Sequence, residues 1–423
     1  MGSDAAHPAR PRRALAGILA AATAAALAGC GSGGSGTNTN TVGAGSNAPS
    51  NQLTVYSALP LGGGARSRSD GIVNGEKLAL KESGGRVGPF RVNYVSLDDS
   101  DPSTGSWTPE QASSNAKLAA QDKTAIAYLG DWDSGATAVS LPIINGANIL
   151  QISPASTYVG FTQSTFAGKG EPDRYYPLGR RTFGRLVPSD QVQAAAQVEY
   201  AKRAGVSNVF LIRDREVFDA ELGAIFAAQA PLGGLALAGD QIMSANPSDD
   251  VTLARQVTNS GAQAVLYAGQ PTLRAAALLD ALLAANPSLK LFSPYFVAEP
   301  DFLRALGPAQ RSLYVTSPVL PLGMYPATAR RFASAYRTAF ASSPGPYALY
   351  GYEAMKLVLT LIREAGSRGN DRQAVVNRFF ATRGRQSVIG RYSIEASGDT
   401  TLSRYGGDRV RGGRLAFDRL LIH

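Results

Sequence analysis

The chain is poor in the residues on which most hydrolytic and metal-dependent chemistry depends. Its 423 residues include two histidines, His7 and His423, and one cysteine, Cys30. A Ser-His-Asp or Cys-His catalytic apparatus and a histidine-based zinc site therefore lack their central residue in the body of the chain. A single cysteine also excludes a disulfide bond within the chain. These absences argue against an enzyme, and we predict no catalytic residue, no cofactor and no bound metal.

Long charged runs are also missing, which argues against a nucleic-acid partner. Lys and Arg number 41 against 32 Asp and Glu, but the basic residues are dispersed along the sequence. Proteins that bind nucleic acids usually cluster such charges in one run or on one face. The composition, 44% hydrophobic and 17% charged, is that of a globular protein. Because 423 residues exceed what one compact core accommodates, we expect two lobes.

The N-terminus has the pattern of a secretion signal. Arginines at positions 10, 12 and 13 precede an uncharged run, rich in Ala and Leu, at residues 14–28. A membrane span needs roughly 20 apolar residues, so this shorter run is typical of a signal peptide. It ends in Leu-Ala-Gly-Cys at residues 27–30, which resembles a bacterial lipobox, where cleavage precedes a cysteine that is then acylated. We predict a lipoprotein signal peptide at residues 1–29 and lipidation of Cys30.

A flexible tether follows the predicted lipidation site. Residues 31–50 consist mainly of Gly, Ser, Thr and Asn, carry no charge and offer too little apolar surface to fold. We therefore interpret residues 30–50 as a lipidated cysteine with its tether. No later segment of the sequence is apolar and long enough to cross a bilayer. The pattern predicts a bacterial extracytoplasmic protein that is lipid-anchored to the cell membrane without spanning it.

Short runs rich in β-branched and aromatic residues alternate with longer amphipathic runs after residue 50. The short runs predict strands at residues 53–57, 91–97, 125–129, 149–152, 208–213, 264–267, 290–292 and 313–316. The longer runs predict helices at residues 70–82, 109–121, 191–204, 273–285, 328–340, 347–365 and 371–382. For the helix at 109–121, Thr108 is the expected N-cap, Pro109 the first helical residue and Gln111 the partner in a capping box. This alternation indicates parallel sheets covered by helices on both faces.

The strand series restarts after the helix at 191–204, which predicts two similar lobes. The first lobe comprises residues 51–187 and 318–390, and the second comprises residues 188–317 and 391–423. The tail after residue 390 alternates apolar and polar residues and carries turn signals, which indicates a short β-rich ending. The predicted fold class is α/β, with two lobes that are each a parallel sheet with helices on both faces, joined by a multi-strand hinge.

Ligands of parallel sheets bind at the carboxyl ends of the strands, where loops and helix N-termini present unpaired N–H groups. This rule selects six loops, and all of them line one cleft if the two lobes face each other. The loops are residues 59–68, 131–137, 153–158, 214–218, 269–272 and 293–299.

Two of these loops carry polar groups suited to a small zwitterion. Ser134 stands at the start of a predicted helix, where its hydroxyl and the free N–H groups suit a carboxylate. The simpler interpretation of Ser134 is an ordinary N-cap residue. The loop at 153–158, Ser-Pro-Ala-Ser-Thr-Tyr, offers hydroxyl and carbonyl oxygens together, which suit an ammonium group.

Two further motifs favour structural interpretations. The three glycines at residues 62–64 lack the third glycine position and the acidic residue of a dinucleotide-binding fingerprint, so we interpret them as a flexible cleft loop. Asp98, Asp99 and Asp101 are followed by Pro102 and lack the glycine of a calcium-binding loop. We expect them to cap their loop and the following helix rather than to bind a cation.

The sequence around the candidate loops resembles one known family. Ala-Ile-Ala-Tyr-Leu-Gly at residues 125–130, Ser-Gly-Ala at 134–136 and Gln-Ile-Ser-Pro-Ala-Ser-Thr-Tyr at 151–158 are similar to the first lobe of leucine/isoleucine/valine-binding proteins. These are the type I periplasmic substrate-binding proteins of ABC transporters. The similarity continues at residues 209–215 and 347–355. The resemblance implies the two-lobed fold predicted above and a ligand held between the lobes.

By this resemblance, the α-carboxylate of the ligand is held by Ser134 and Thr157. The α-ammonium group is met by the carbonyl oxygen of Ala155, by Thr157 and by a carboxylate on the second lobe. Phe218 matches an aromatic residue that closes over the ligand from the second lobe. Trp132 and Ser156, in the same loops, complete the predicted ligand-binding set of the first lobe.

One position departs from the family pattern. The second-lobe carboxylate is expected within residues 292–295, where this sequence has Tyr295. A buried ammonium group facing a phenol loses its charge partner, which is costly. Either Glu299 or Glu216 supplies the charge, or the ligand is not a simple α-amino acid; Tyr295 itself then packs the wall of the site. Arg68 in the first loop is a candidate to bind a second acidic group of the ligand.

The resulting hypothesis is an extracytoplasmic solute-binding lipoprotein of an ABC importer. It closes its lobes on a branched-chain amino acid or a related amino-acid or amide compound and delivers it to an ABC transporter permease. Its partners are the small-molecule ligand, the permease and, through the lipid anchor alone, the membrane, and we expect a monomer. The alternative is a ligand-sensing or scaffold lipoprotein that signals to a membrane partner through the same cleft. A surface hydrolase is disfavoured because the body of the chain has no histidine.

Overall fold

The described part of the chain folds into two sheets with covering helices. A computed structural model describes residues 51–63, 66–298 and 300–422. The predicted signal peptide, Cys30, the tether and Glu299 lie outside these ranges. None of the helices within them combines the length and the apolar character that a membrane span requires.

Strands and helices alternate along most of the described chain. In order, the strands are β1 (Gln52–Leu59), β2 (Arg86–Val87), β3 (Phe90–Asp98), β4 (Ala125–Gly130), β5 (Leu150–Ser153), β6 (Phe183–Arg185), β7 (Asn208–Arg213), β8 (Ala236–Ile242), β9 (Ala264–Ala268), β10 (Lys290–Pro294), β11 (Leu313–Ser317), β12 (Arg385–Ser387), β13 (Gly390–Tyr392), β14 (Tyr405–Arg411) and β15 (Arg414–Ile422). The α-helices are α1 (Arg66–Glu82), α2 (Pro109–Gln121), α3 (Ser134–Gly146), α4 (Asp190–Arg203), α5 (Val217–Leu232), α6 (Asp250–Asn259), α7 (Leu273–Ala285), α8 (Pro300–Ala305), α9 (Ala327–Phe340), α10 (Ala348–Ala365) and α11 (Arg372–Phe380).

The strands form two large sheets and one small hairpin. The first sheet has the order β2-β3-β1-β4-β5-β6 and is parallel except at β2. The second has the order β15-β14-β11-β10-β9-β7-β8 and is parallel except at β14 and β15. β12 and β13 pair with each other. The predicted α/β class with two similar lobes is confirmed, and each large sheet gains antiparallel strands at one edge.

A tight turn produces the C-terminal strands. Gly412 and Gly413 have φ values of 60° and 74°, a region that other residues rarely adopt. They connect β14 to β15, where Arg411 pairs with Arg414. A two-residue turn of this kind matches the twist of a hairpin. Because β14 pairs antiparallel with β11, the predicted β-rich ending completes the second sheet.

Local capping sets the start of α2. As predicted, Pro109 occupies its first position and the Thr108 hydroxyl accepts the Gln111 N–H at 3.3 Å. The Thr108 N–H donates to the carbonyl oxygen of Asp99, not to the Gln111 side chain. The expected capping box is therefore only half formed, because a tertiary contact takes the second donor.

Sequence patterns miss several other elements. β6 has three residues, too few for an alternation to be recognised. β8 contains Gly239, where a Cβ atom would collide with the Phe210 ring of β7, so packing and not strand propensity selects this residue. α5 and α6 also escape prediction. α1 begins at Arg66 and not at residue 70, which places Arg68 in a helix instead of a loop.

Three connections link the elements of the two sheets. The first joins β6 to α4, which packs on β10, β11 and β14 of the second sheet. The second runs from β11 to α9, which packs on α1 beside the first sheet. The third leads from β13 to β14. The exact lobe boundaries, at 187–188, 317–318 and 390–391, stay predictions.

Two glycines allow α1 and α10 to cross in close contact. A Cβ atom on Gly75 would collide with the carbonyl oxygen of Ala348. A Cβ atom on Gly351 would collide with the carbonyl oxygen of Ile72. Both obstacles are backbone atoms, which cannot rotate away as the end of a flexible side chain does. The packing of these two helices therefore tolerates no added methyl group at either glycine.

Asp99 is a buried acidic residue that follows β3. Its side chain is fully buried, and neither carboxyl oxygen has a hydrogen-bond partner among the described residues. Burial raises the pKa of Asp99 well above its usual range, and the carboxyl groups of Asp131, Asp133 and Asp98 raise it further. Between the usual and the raised pKa, the folded state therefore binds more protons than the unfolded state. Stability consequently falls as the pH rises through this interval.

We expect Gly75→Ala to lower the stability of the folded chain by about 1–3 kcal/mol, because the added methyl group overlaps the backbone of α10. Thermal unfolding followed by circular dichroism measures the change. Gly323→Ala is the matched control, since nothing lies within 4 Å of a Cβ atom at Gly323, and its melting temperature should equal that of the parent. Equal melting temperatures for the two variants would contradict the close contact.

We expect Asp99→Asn to stabilise the protein at pH 8 and to have little effect at pH 4. The amide keeps the shape of the carboxyl group but cannot acquire the buried charge, which costs about 1.4 kcal/mol for each unit of pKa shift. The measurement is the melting temperature of both proteins at the two pH values. Asp249→Asn, which removes an exposed carboxylate, controls for net charge. An equal stabilisation at both pH values would show that the buried charge is not its cause.

Candidate ligand-binding site

The carboxyl ends of strands from both sheets surround one cavity of about 450 Å³. Each of the six loops selected by the strand-end rule contributes to its lining. A volume of this size is typical of pockets for small molecules. The lining residues are Pro60, Arg68, Thr104, Gly105, Ser106, Trp107, Trp132, Asp133, Ser134, Gly135, Ala155, Thr157, Asp190, Gln193, Glu216, Phe218, Asp219, Leu222, Gln270, Pro271, Tyr295, Pro318 and Tyr347.

Ser134 lies on the first-lobe wall of this cavity. It is the first residue of α3, and the N-cap is Asp133, so the simpler interpretation of Ser134 as the N-cap is wrong by one position. Its hydroxyl lies 3.2 Å from the Ser156 hydroxyl and accepts the Tyr158 N–H at 3.4 Å. Ser134 therefore joins the two loops that the sequence assigns to the charged groups of a zwitterion.

Ser153 holds the second of these loops. Its hydroxyl donates to the carbonyl oxygen of Asp131 at 2.7 Å and accepts the N–H groups of Ala155 and Ser156 at 3.1 Å and 2.8 Å. Ala155 and Thr157 line the cavity. Ser156 is buried outside the lining, where its side chain supports the loop.

A buried arginine supports the same loop from within the first lobe. Arg185, at the end of β6, is fully buried. Its guanidinium group donates to the carbonyl oxygen of Ser156 at 3.2 Å and to the Thr162 hydroxyl at 2.7 Å. Its Nε atom lies 2.8 Å from a carboxylate oxygen of Asp399, which belongs to the connection between β13 and β14. The loop at 153–158 and a connection between the sheets therefore share one charged group.

Aromatic side chains from both lobes meet at the cavity. The guanidinium carbon of Arg68 lies 4.9 Å from the centroid of the Trp132 ring. Trp132 contacts Tyr347, which contacts Tyr295 of the second sheet, with ring centroids 4.5 Å and 5.5 Å apart. Burial raises the pKa of Tyr347 well above its usual range, so its phenol stays neutral. The predicted residues Arg68, Trp132 and Tyr295 thus occupy one continuous wall.

Phe218 makes a second aromatic contact between the lobes. It lies in the first turn of α5 and lines the cavity. Its ring centroid is 4.8 Å from that of Tyr158 and 6.4 Å from that of Phe161. Both partners follow β5 of the first sheet. Phe218 therefore reaches from the second lobe to the first beside the cavity, and its contact with a ligand stays a prediction.

Acidic groups line the second-lobe wall. Asp190 opens α4, Glu216 directly precedes α5 and Asp219 lies in the first turn of α5. Burial raises the pKa of Asp190 to about 6, although the hydrogen bond from Thr157 and the positive charge of Arg185 both act to lower it. Burial and nearby carboxyl groups raise the pKa of Glu216 and that of Asp219, the latter well above its usual range. The sequence analysis named Glu216 and missed the other two.

The acidic residues after β3 shape a wall of the cavity. Asp98 accepts two backbone N–H groups at 2.9 Å, and Asp101 accepts two more at 2.8 Å and 3.0 Å. Asp98 and Asp101 therefore cap their loop as predicted, but the following helix is capped by Thr108, and the Asp99 side chain makes no such bond to a described residue. No group of three or more metal-ligating side chains occurs within the described ranges. These bonds fix the loop that carries Trp107.

The loop at residues 104–107 lines the cavity although the sequence analysis did not select it. Trp107 packs so closely on α3 that a Cβ atom on Gly135 would overlap its ring. The chain contains two tryptophans, Trp107 and Trp132, and both line the cavity. A signal in the sequence that marks this loop is the rarity of tryptophan, because both tryptophans occur in connections between a predicted strand and the helix that follows it.

Solved structures of known binding proteins share this fold. The leucine-binding protein LivK from Thermotoga maritima is 20% identical, with a TM-score of 0.72 over 87% of this chain and 98% of that chain. LivJ from Streptococcus pneumoniae, in complex with isoleucine, is 16% identical, with a TM-score of 0.68 over 88% and 99%. A solute-binding protein from R. palustris, in complex with 4-hydroxybenzoate, is 16% identical, with a TM-score of 0.71 over 88% and 97%. At such identities the likeness shows the fold alone.

The family is shown by the sequence itself. No curated protein matches the chain significantly. The sequence does match the family described as periplasmic binding protein over residues 57–405, which is most of the chain. The type I fold with two lobes that the resemblance implies agrees with this match. The chain belongs to the periplasmic binding protein family.

Proposed function

We propose that the protein is the extracytoplasmic solute-binding component of an ABC importer and binds a ligand with the charge pattern of an amino acid. The observation that carries the proposal is that one cavity has two walls of different character. The first-lobe wall presents the hydroxyls of Ser134 and Thr157 beside the N-terminus of α3, and the second-lobe wall presents carboxyl groups. In this role the protein makes and breaks no covalent bond, and its membrane partners use the ATP.

The first-lobe wall suits the carboxylate of the ligand. Ser134 is the first residue of a helix of 13 residues, whose first N–H groups have no partner within the helix. A carboxylate placed there accepts hydrogen bonds from the Ser134 hydroxyl and from the Thr157 hydroxyl, whose single proton then turns from Asp190 to the ligand. Arg68, stacked on Trp132, adds a positive charge to the same wall. Such charge-assisted hydrogen bonds belong to the stronger class.

The space between the walls suits an ammonium group. Ala155 and Thr157 line it from the first lobe, and in this proposal the carbonyl oxygen of Ala155 and the hydroxyl of Thr157 accept hydrogen bonds from the ammonium group. Tyr295 packs on Tyr347, which supports the interpretation that Tyr295 is part of the wall and not a charge partner. Glu216 lines the cavity, which supports the proposal that the second lobe replaces the missing charge from another loop.

Closure of the lobes is the proposed mechanism. Phe218 contacts Tyr158 and Tyr295 contacts Tyr347, so aromatic pairs already join elements of the two sheets. A ligand that touches both walls adds contacts that exist only when the walls are close. The ligand thereby shifts the population toward the closed arrangement, which a permease then distinguishes from the open one.

We expect the double variant Ser134→Ala/Thr157→Ala to lower, at least tenfold, the affinity for whichever standard L-amino acid the parent protein binds. Each lost hydrogen bond to a charged group is worth about 1.5–3 kcal/mol, and about 1.4 kcal/mol corresponds to tenfold in affinity. Because both tryptophans line the cavity, intrinsic fluorescence during titration with the standard L-amino acids measures binding.

The matched control for that experiment is Ser334→Ala/Thr338→Ala, which removes two exposed hydroxyls from α9. Its dissociation constants should equal those of the parent. An unchanged affinity in the cavity variant would refute the assignment of the carboxylate site. A parent protein that responds to none of the amino acids would refute the ligand class.

We also propose that Cys30 carries a lipid anchor, because it is the only cysteine and closes the lipobox-like sequence. In cell fractionation, Cys30→Ser should move the expressed protein from the membrane fraction to the soluble fraction. In detergent phase partitioning, it should move the protein from the detergent phase to the aqueous phase. The purified variant should bind ligands as the parent does, since Cys30 is not among the described residues that line the cavity. Ser32→Ala, two residues further on, is the control and should stay with the membrane. Retention of the Cys30→Ser protein in the detergent phase would refute the anchor.

A further inference from the structure

The second-lobe wall of the cavity carries more acidic groups than one α-ammonium group requires. Asp190, Glu216 and Asp219 all line the cavity. Asp190 and Asp219 are 5% and 8% exposed, and Glu216 is half-buried. None of the three forms an ion pair with another described residue. Buried carboxyl groups ionise readily only beside a positive charge, so a cationic group of a ligand placed against this wall is stabilised there.

Asp219 is fixed in place and keeps one carboxyl oxygen available. Its Oδ2 atom accepts a hydrogen bond from the side-chain amide of Gln270. The backbone N–H of Gln270 donates to the Asp214 carboxylate at 2.6 Å, so the residue that carries this side-chain amide is itself held in position. The Oδ1 atom of Asp219 has no hydrogen-bond partner within the described part of the chain. Asp219 thus offers an unpartnered acceptor, on a side chain more than nine-tenths buried, to the cavity that it lines.

The other charged groups of the lining do not neutralise these acids. Arg68 is the only Lys or Arg among the described lining residues, and it lies on the first-lobe wall against Trp132. Asp133 adds a further acidic side chain to the lining. An α-amino acid with an uncharged side chain brings one positive and one negative group, so it does not balance the surplus of acidic over basic side chains in the lining. A second positive group on the ligand reduces that excess.

The lining offers little to an aliphatic side chain. Leu222 is the only Leu, Ile or Val among the described residues that line the cavity. The larger apolar surfaces are aromatic rings, among them Trp107, Phe218 and Tyr295. An aromatic face attracts a cation that lies within about 6 Å of the ring centroid. These rings therefore accommodate a positively charged side chain with an apolar stem.

We propose that the ligand is an α-amino acid with a positively charged side chain, and that Asp219 and Glu216 hold the ammonium or guanidinium group of that side chain. This inference rests on the proposed function and names the substrate class of the same cavity. The α-carboxylate stays at Ser134 and Thr157. Asp190, whose carboxyl group is bonded to the Thr157 side chain, faces the α-ammonium group.

Titration with L-arginine, L-lysine, L-leucine, putrescine and benzoate, followed by tryptophan fluorescence and calorimetry, tests the inference. We expect arginine or lysine to bind at least tenfold more tightly than leucine. Asp219→Asn should weaken the binding of the preferred basic amino acid at least tenfold, and Glu216→Gln should act in the same direction. Asp249→Asn removes an exposed carboxylate from the same lobe and should leave the affinity unchanged. Melting temperatures establish that each variant is folded.

The outcomes separate this inference from the proposed function. Leucine binding as tight as that of arginine and lysine overturns the cationic side chain but leaves a protein that binds amino acids. An affinity unchanged in both Asp219→Asn and Glu216→Gln does the same. Putrescine has no carboxylate. If it binds as tightly as arginine and lysine, the second-lobe wall still binds a cation, but the ligand is not an α-amino acid. Binding of benzoate alone overturns both proposals, and a lack of response to all five compounds overturns the inference.

Discussion

The buried ion pair between Arg185 and Asp399 is the interaction on which the geometry of the cavity depends. Arg185 is fully buried and Asp399 nearly so, which leaves neither charge an alternative partner in water. Loss of either partner leaves the other charge buried without its ion-pair partner, at a cost of roughly 3–5 kcal/mol. The backbone N–H of Arg185 also donates a hydrogen bond to the carbonyl oxygen of Gly398 at 3.1 Å. Because Arg185 bonds the carbonyl oxygen of Ser156 as well, one guanidinium group holds a loop of the site against a connection between the sheets.

The fold assigns the two walls of the cavity to different sheets. The first wall consists of loops after strands of the first sheet, which bond to one another through Ser153 and Ser134. The second wall consists mainly of the first turns of α4 and α5, which pack on the second sheet. Three connections join the sheets, and in the proposed closure the distance between the walls changes while each wall keeps its own shape. The aromatic pairs between the lobes are the contacts that such a movement makes and breaks.

Sequence reasoning recovers the elements whose signals are local. β7, α2 and α7 have the predicted bounds, because a β-branched run or a threonine cap marks each of them. Sequence patterns miss elements whose residues are determined by tertiary contacts. β8 is an example, because its Gly239 is required by the neighbouring Phe210 ring. At the site, the strand-end rule finds six loops because it depends on the fold class alone. The rule does not find Asp190 and Asp219. Acidic residues are common in the first turn of a helix because they complement the helix dipole, so their presence there does not by itself indicate a binding site.

This difference between the walls bears on how the proposed ligand is selected. The hydroxyls of Ser134 and Thr157 bind a group that every α-amino acid carries, so they contribute affinity without discrimination. On the second lobe, a ligand without a second positive charge leaves Asp219 bonded only to Gln270, with its Oδ1 atom unmatched by the ligand. A site built to bond a polar group rejects the analogue that lacks it far more strongly than an apolar pocket rejects a missing methylene. In this proposal Ser134, Thr157 and Asp190 contribute affinity for any α-amino acid, Asp219 and Glu216 add the selectivity, and closure of the lobes couples the two.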